Sequence, residues 1–264
     1  MEEKLYKGKV VLKFDEKRHI YSVKGKKVYG VTSIVGVLDK PGLKFWAVDM
    51  AIEALEKKLL PGKTYDEMEI KWMLDAAKAA HTKRLKKAGD VGTAVHDWLS
   101  MYITAGIAKK TLPKLPTNKE MRQCLKGFFR WVKENKVKFI ASEQKCYSRK
   151  HGYAGTYDAE AIVNGKKTII DFKTGKKIYP EMILQATAYL VAKEEDTKKK
   201  YTGGVIILRL SKEIKEKKVE AFESRIVPRK ELTNGLFDVF ISCLNIYKWK
   251  MALKREWLRK NIEK

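Results

Sequence analysis

A chain of 264 residues with 44% hydrophobic side chains can bury a sizeable core, as one domain with embellishments or as two small ones. It nowhere approaches the ~20 consecutive apolar residues that cross a bilayer, and its opening MEEKLYKGK is charged and lacks an apolar h-region, so the expectation is a cytoplasmic protein with no membrane span. Lys and Arg outnumber Asp and Glu by 57 to 32, a formal net charge of +25, which draws polyanions; nucleic acid leads, with an anionic membrane surface or a Lys-rich genome composition as the alternatives.

Residues 9–31 alternate apolar and polar in the short runs VVLKF, HIYSV and KKVYGV, a predicted β-meander to which we assign packing and no chemistry. An apolar run introduced by Thr32 and Ser33 is closed by Pro41 and Gly42. Over 45–60, Phe45, Trp46, Val48, Ala51, Ile52, Leu55 and Leu59 recur at helical spacing. A second helix is expected over 66–87, with Ile70, Met73, Leu74, Ala77 and Ala80 inside and a basic end from His81 to Lys87. Asp90 is placed to cap a third helix from Val91, which carries the apolar stripe Val95, Trp98, Leu99 and Tyr102 with His96 beside it. After the basic, Pro-rich link KKTLPKLPTNKE, Thr117 and Glu120 suggest a capping box for a helix to about Asn135. Residues 138–148 read as a strand that includes Glu143.

Two runs rich in Tyr, Ile, Val and Thr, 156–163 and 166–173, are separated only by Asn164 and Gly165, the pair preferred for a two-residue turn with positive φ. With Val163 opposite Lys166, Asp158 falls opposite Asp171, and alternation brings Lys173 to the same face. Opposed like charges with side-chain origins only ~5 Å apart destabilise a sheet unless a positive charge stands between them. A divalent cation is one such charge; a solvated strand face with ordinary surface acids is the bland alternative, against which stands apolar Ile169 on the same face. Pro180 opens a helix on which Gln185 and Tyr189, four apart, share a face. Beyond it, 203–210 (GGVIILRL) is a buried strand, 219–227 an alternating strand nearer an edge, and 229–264 a helical region with a basic tail from Lys248. This order of elements implies an α/β sheet covered on both faces.

An Asp in a GTYD strand, an Asp-Phe-Lys strand end and a Gln-x-x-x-Tyr helix, in this order, resemble the core of the PD-(D/E)XK nuclease superfamily, in its RecB-like exonuclease branch. Gly92 and His96 match that branch's Gly-x-x-x-His helix, so the resemblance covers roughly 89–192. It implies a restriction-endonuclease-like core over 89–264, a central mixed sheet flanked by helices, with an N-terminal β-meander and helical cover over 1–88 that restricts entry to the site. The implied activity is a metal-dependent DNA exonuclease of phage or bacterial recombination, repair or genome processing; a structure-specific endonuclease and a catalytically silent DNA-binding module are the alternatives. His96, Asp158, Asp171 and the backbone carbonyl of Phe172 would hold Mg2+ or Mn2+. Lys173 would position water and stabilise developing charge, Glu143 would assist in a secondary role, and Gln185 and Tyr189 would contact the DNA backbone or support Lys173. Single-stranded DNA or duplex ends would be the substrate, with RNA open, and a recombination partner protein the companion. Cys124, Cys146 and Cys243 are scattered without a Cys-x-x-Cys pair, so they read as reduced and cannot supply the four-Cys iron–sulfur cluster of some relatives.

Overall fold

The computed structural model describes residues 2–213 and 221–262, the last four by their backbone alone. At the N-terminus the expected meander gains a strand: β1 (Glu2–Leu5), β2 (Val10–Asp15), β3 (Ile20–Val23) and β4 (Lys26–Gly30) pair antiparallel in succession and enclose Leu5, Leu12, Tyr21 and Val28. A short helix, α1 (Val31–Val35), follows β4 directly.

The chain divides into two compact units, Met1–Leu38 with Val95–Lys264, and Asp39–Ala94. The meander lies in the first unit, and residues 39–94 form the second. In the second unit, α2 (Pro41–Glu56) starts with Pro in its first turn, where the missing N–H is not needed. None of its residues is buried, and Phe45 is 71% exposed, so helical spacing of apolar residues marks periodicity here without a core. The helices expected over 66–87 and from Val91 are one 41-residue element, α3 (Glu67–Ile107), so Asp90 lies inside it and caps nothing. Met73 and Ala77 are buried, whereas Ile70 and Leu74 are exposed.

In the larger unit, α4 (Lys119–Glu134) is capped one residue later than expected: Asn118 Oδ1 accepts the Met121 N–H at 3.0 Å, in place of the Thr117 box. β5 (Lys138–Ser148), β6 (Tyr153–Val163) and β7 (Lys166–Lys173) follow as antiparallel neighbours. Asn164 and Gly165 take φ of 47° and 77°, and Val163 lies opposite Lys166, the register the turn demands. From β7 the chain crosses over through α5 (Pro180–Thr197) to β8 (Gly204–Leu210), parallel to β7, and β9 (Phe222–Val227) closes the sheet edge. Val219 and Glu220, expected at the start of that edge strand, lie outside the described residues. The expected helical region from 229 is broken: after α6 (Arg229–Glu231), Asn234 and Gly235 leave helical geometry, Gly235 at φ 97°, before α7 (Phe237–Ile262).

Among the described residues the strands form one nine-stranded mixed sheet. Alternation along β7 and β8 sends Ile169, Val205 and Ile207 into a core with α1, α5 and α7, and Ile170, Phe172, Ile206 and Leu208 into a core with α4 and the Val95, Trp98, Leu99 and Ile103 face of α3. Both faces are covered. The three cysteines are free and buried.

Candidate active site

The sheet has an opening, and the site residues surround it. One edge of β6 is paired along its length with β5. The other edge is shared: β4 occupies it at Tyr153 and Ala154, and β7 from Ala159 to Val163. Asp158 lies between these two ladders, one residue beyond the last pair with β7, so its expected partner Asp171 faces it across strands that have begun to part. The Asp158 side chain enters the space: its Oδ2 accepts the Phe172 N–H at 2.5 Å in place of a ladder carbonyl.

β6 also turns over at this point. Tyr157 packs in the core under α5, while Ala159, two residues on, packs in the core under α3 and α4, although strict alternation would put both on one face. Across the ladder, Ser142 opposes Ala159 and Gln144 opposes Tyr157, and Glu143 between them takes φ 51°, a left-handed conformation that a side chain disfavours. Strain of this kind inside a strand is retained where the surroundings enforce it, and here it sits beside Asp158. Ser142 Oγ fixes the same residue from the backbone side, donating to the Asp158 carbonyl at 3.1 Å.

Four of the expected residues meet in one network. His96 reaches from α3 to place Nδ1 3.2 Å from Asp158 Oδ1, and the Lys173 ammonium is ion-paired with Asp171 Oδ2. Asp171 is 3% exposed, and its Oδ2 is buried without a hydrogen bond of proper geometry, so the Lys173 contact is an ion pair that leaves lone-pair capacity on that oxygen. The two acids separate electrostatically. Burial works to raise both, but His96, Lys173 and the Phe172 N–H hold Asp158 below the ordinary carboxylate range. Asp171 is held above it by burial and the neighbouring Asp158 charge, against the pull of Lys173. Burial disfavours the charged forms of His96 and Lys173, yet the carboxylates outweigh it and raise both, so Lys173 stays an ammonium. The Glu143 carboxyl is pushed up to about 7, by desolvation first and by the Asp158 charge second, although the residue as a whole presents surface to solvent.

Gln185 and Tyr189 stand behind this network. The Gln185 amide donates to the Tyr189 hydroxyl at 2.8 Å and to Thr32 Oγ1 of α1 at 3.0 Å. Tyr189 is 3% exposed, so it is a core residue and not a surface for a backbone phosphate. Its ring lies against Gly155: a Cβ at that position would stand 2.4 Å from Tyr189 Cε1. This explains the glycine of the GTYD strand, which lets α5 close onto β6 three residues from Asp158. Thr32 had no local signal in the sequence, since its partner is 153 residues away.

The donors are those a hard divalent cation takes: two carboxylates, one imidazole and the Phe172 carbonyl, which in an extended strand shares the edge of its own N–H. Among the described residues no three His, Cys, Asp or Glu side chains are gathered into a metal cage; His96, the Phe172 N–H and Lys173 instead hold the carboxylate oxygens. The donor set therefore fits such an ion in kind, and occupancy requires these internal partners to yield.

No family model and no curated protein matches the chain. Among solved structures it is similar to an alkaline exonuclease (LHK-Exo) from Laribacter hongkongensis, at TM-score 0.38 and 10% identity over 63% of this chain and 84% of that one. LHK-Exo in complex with dAMP gives TM-score 0.37 and 12% identity over the same shares. Similarity this distant transfers no residue roles, and the functional reading rests on the geometry above.

Proposed function

We propose that this chain is a metal-dependent DNA exonuclease of the PD-(D/E)XK superfamily, RecB-like branch, that hydrolyses phosphodiester bonds at DNA ends during recombination, repair or genome processing. One observation carries the reading: His96, Asp158, Asp171 and Lys173, from three elements, converge where β6 is unpaired between β4 and β7. Mg2+ or Mn2+, held by His96, Asp158, Asp171 and the Phe172 carbonyl, would supply Lewis acidity toward the scissile phosphate and a water of lowered pKa.

The remaining roles belong to the chain itself. Lys173, ion-paired with Asp171, stands beside the two acids as a hydrogen-bond donor. It orients the attacking water and offsets charge on the phosphate as the water oxygen bonds to phosphorus, the bond to the leaving oxygen breaks and a proton ends on that oxygen. Glu143, aimed by its left-handed backbone, flanks Asp158 in a supporting role. Gln185 and Tyr189 position α5 against β6 and α1, the supporting half of what the resemblance implied. The net charge of +25 brings the polyanionic substrate to the surface.

The test is a time course on end-labelled single-stranded, blunt duplex and closed-circular DNA with Mg2+, Mn2+ or EDTA, with Asp171→Ala and Lys173→Ala alongside. The expected outcome is metal-dependent loss of linear DNA only, abolished in both variants while DNA binding persists. Cutting of the closed circle would make the enzyme an endonuclease. Binding without cleavage of any substrate, or joint loss of binding and folding in the variants, would overturn the catalytic assignment.

A further inference from the structure

At 3.6 residues per turn, Val239, Ile246, Trp249, Leu253 and Trp257 fall along one side of α7. The other side carries Phe240, Leu244 and Tyr247, which pack into the core of the sheet. Trp249 and Trp257 are 62% and 65% exposed and Ile246 48%, an unusual display for side chains of this size. The two indoles stand ~12 Å apart along the helix axis. Lys250 and Lys254, both exposed, border the stripe, while Lys248 and Arg255 anchor the helix by donating to the His151 carbonyl at 3.4 Å and the Tyr29 hydroxyl at 2.8 Å.

Charge decides what covers this face. A second copy of a chain with net charge +25 would set these lysines against their own kind, whereas a polyanion is attracted to them. Chemistry decides its form. An indole face stacks on a base only where that base is unstacked, as in a single strand; in a duplex the faces are already occupied. We propose that α7 is a second, non-catalytic binding site for single-stranded nucleic acid, with bases on Trp249 and Trp257 and phosphates on Lys250 and Lys254. Arg255 ties the C-terminal half of α7 to Tyr29 of β4, which holds the helix against the sheet. The inference rests on the nucleic-acid part of the function proposed above and not on cleavage.

The test uses the full chain in EDTA with a fluorescein-labelled oligothymidylate and a duplex of equal length, read by anisotropy across a salt series. Trp249→Ala/Trp257→Ala should weaken single-strand binding by roughly ten- to a hundredfold, with duplex binding changed far less and Trp249→Phe/Trp257→Phe restoring most of the loss. Lys250→Gln/Lys254→Gln, which leaves the indoles in place and guards against misfolding of the first variant, should lower the salt slope by about one to two units. Unchanged single-strand affinity, an equal loss for both DNAs, an unchanged slope, or a dimer in sedimentation that the Trp variants dissolve would overturn the proposal. Because binding is read without metal, failure of the cleavage assay leaves these outcomes unaffected.

Discussion

Gly155 has no room for a side chain, because Tyr189 occupies the space that a Cβ would take. Gly155→Ala should therefore destabilise the protein by about 1–3 kcal/mol through overpacking, measured by denaturant unfolding. In a double-mutant cycle with Tyr189→Ala the two losses should fall short of additivity; full additivity would mean the contact is not what makes glycine necessary. Glu143 provides a second test at the same scale. Its φ of 51° penalises any residue with a Cβ, so Glu143→Gly should be more stable than Glu143→Ala by about 1 kcal/mol. Both variants remove the carboxylate and should slow cleavage alike; equal stability of the two would deny the strain.

At the scale of elements, the β6–β7 hairpin is fastened by Glu160, whose Oε1 lies 2.7 Å from Lys167 Nζ and whose Oε2 accepts the Tyr157 hydroxyl at 3.2 Å. Burial pushes this carboxyl up, but Lys167, hydrogen-bonded to it and charged, with the Tyr201 hydroxyl nearby, holds it below its ordinary value of 4.5. A carboxyl depressed by folding stabilises the native state above its unfolded pKa, and that contribution fades as pH falls through the lower, folded pKa. Lys167→Met leaves burial unopposed by its main partner, so this group's contribution should reverse and weaken as pH rises. Unfolding free energies of the two proteins from pH 3 to 7 should diverge with rising pH; parallel curves would remove Glu160 from the acid response. The hairpin itself was legible because its information is local. Asn164 and Gly165 set the turn, and the turn sets the register from Val163 opposite Lys166 to Ala159 opposite Ile170. The parting of the strands at Asp158 was not legible, since it depends on β4, whose Tyr29 pairs with Tyr153 and Gly30 with Ala154, taking the other part of the same edge from far upstream.

For the whole molecule, the excess of 57 cations over 32 acids predicts binding dominated by phosphate contacts and counterion release. If six or more phosphates are neutralised, affinity for a DNA duplex in EDTA should fall by about a thousandfold between 50 and 200 mM salt. A flat profile would assign the charge to composition alone. No helix among the described residues is long and apolar enough to cross a membrane, as the sequence predicted.

Taken alone, the sequence determined the features that arise from neighbours along the chain: strands β2 to β4 of the meander, the hairpin and its register, the start of α5 at Pro180, and the order of elements that makes an α/β sheet. Periodicity and turn chemistry act over a few residues and need no distant partner to be read. Tertiary structure alone decided where apolar faces found partners. The α2 residues Phe45, Val48 and Ile52 repeat at helical spacing as the α4 residues Leu125 and Phe128 do, yet only the α4 pair is buried, because burial requires a second surface that periodicity does not describe. It also decided that Tyr189 lies in the core against Gly155, that Thr32 receives Gln185, and that β6 changes faces at Asp158. Each of these is set by packing between segments far apart in the chain, where close approach, and not local preference, selects the conformation.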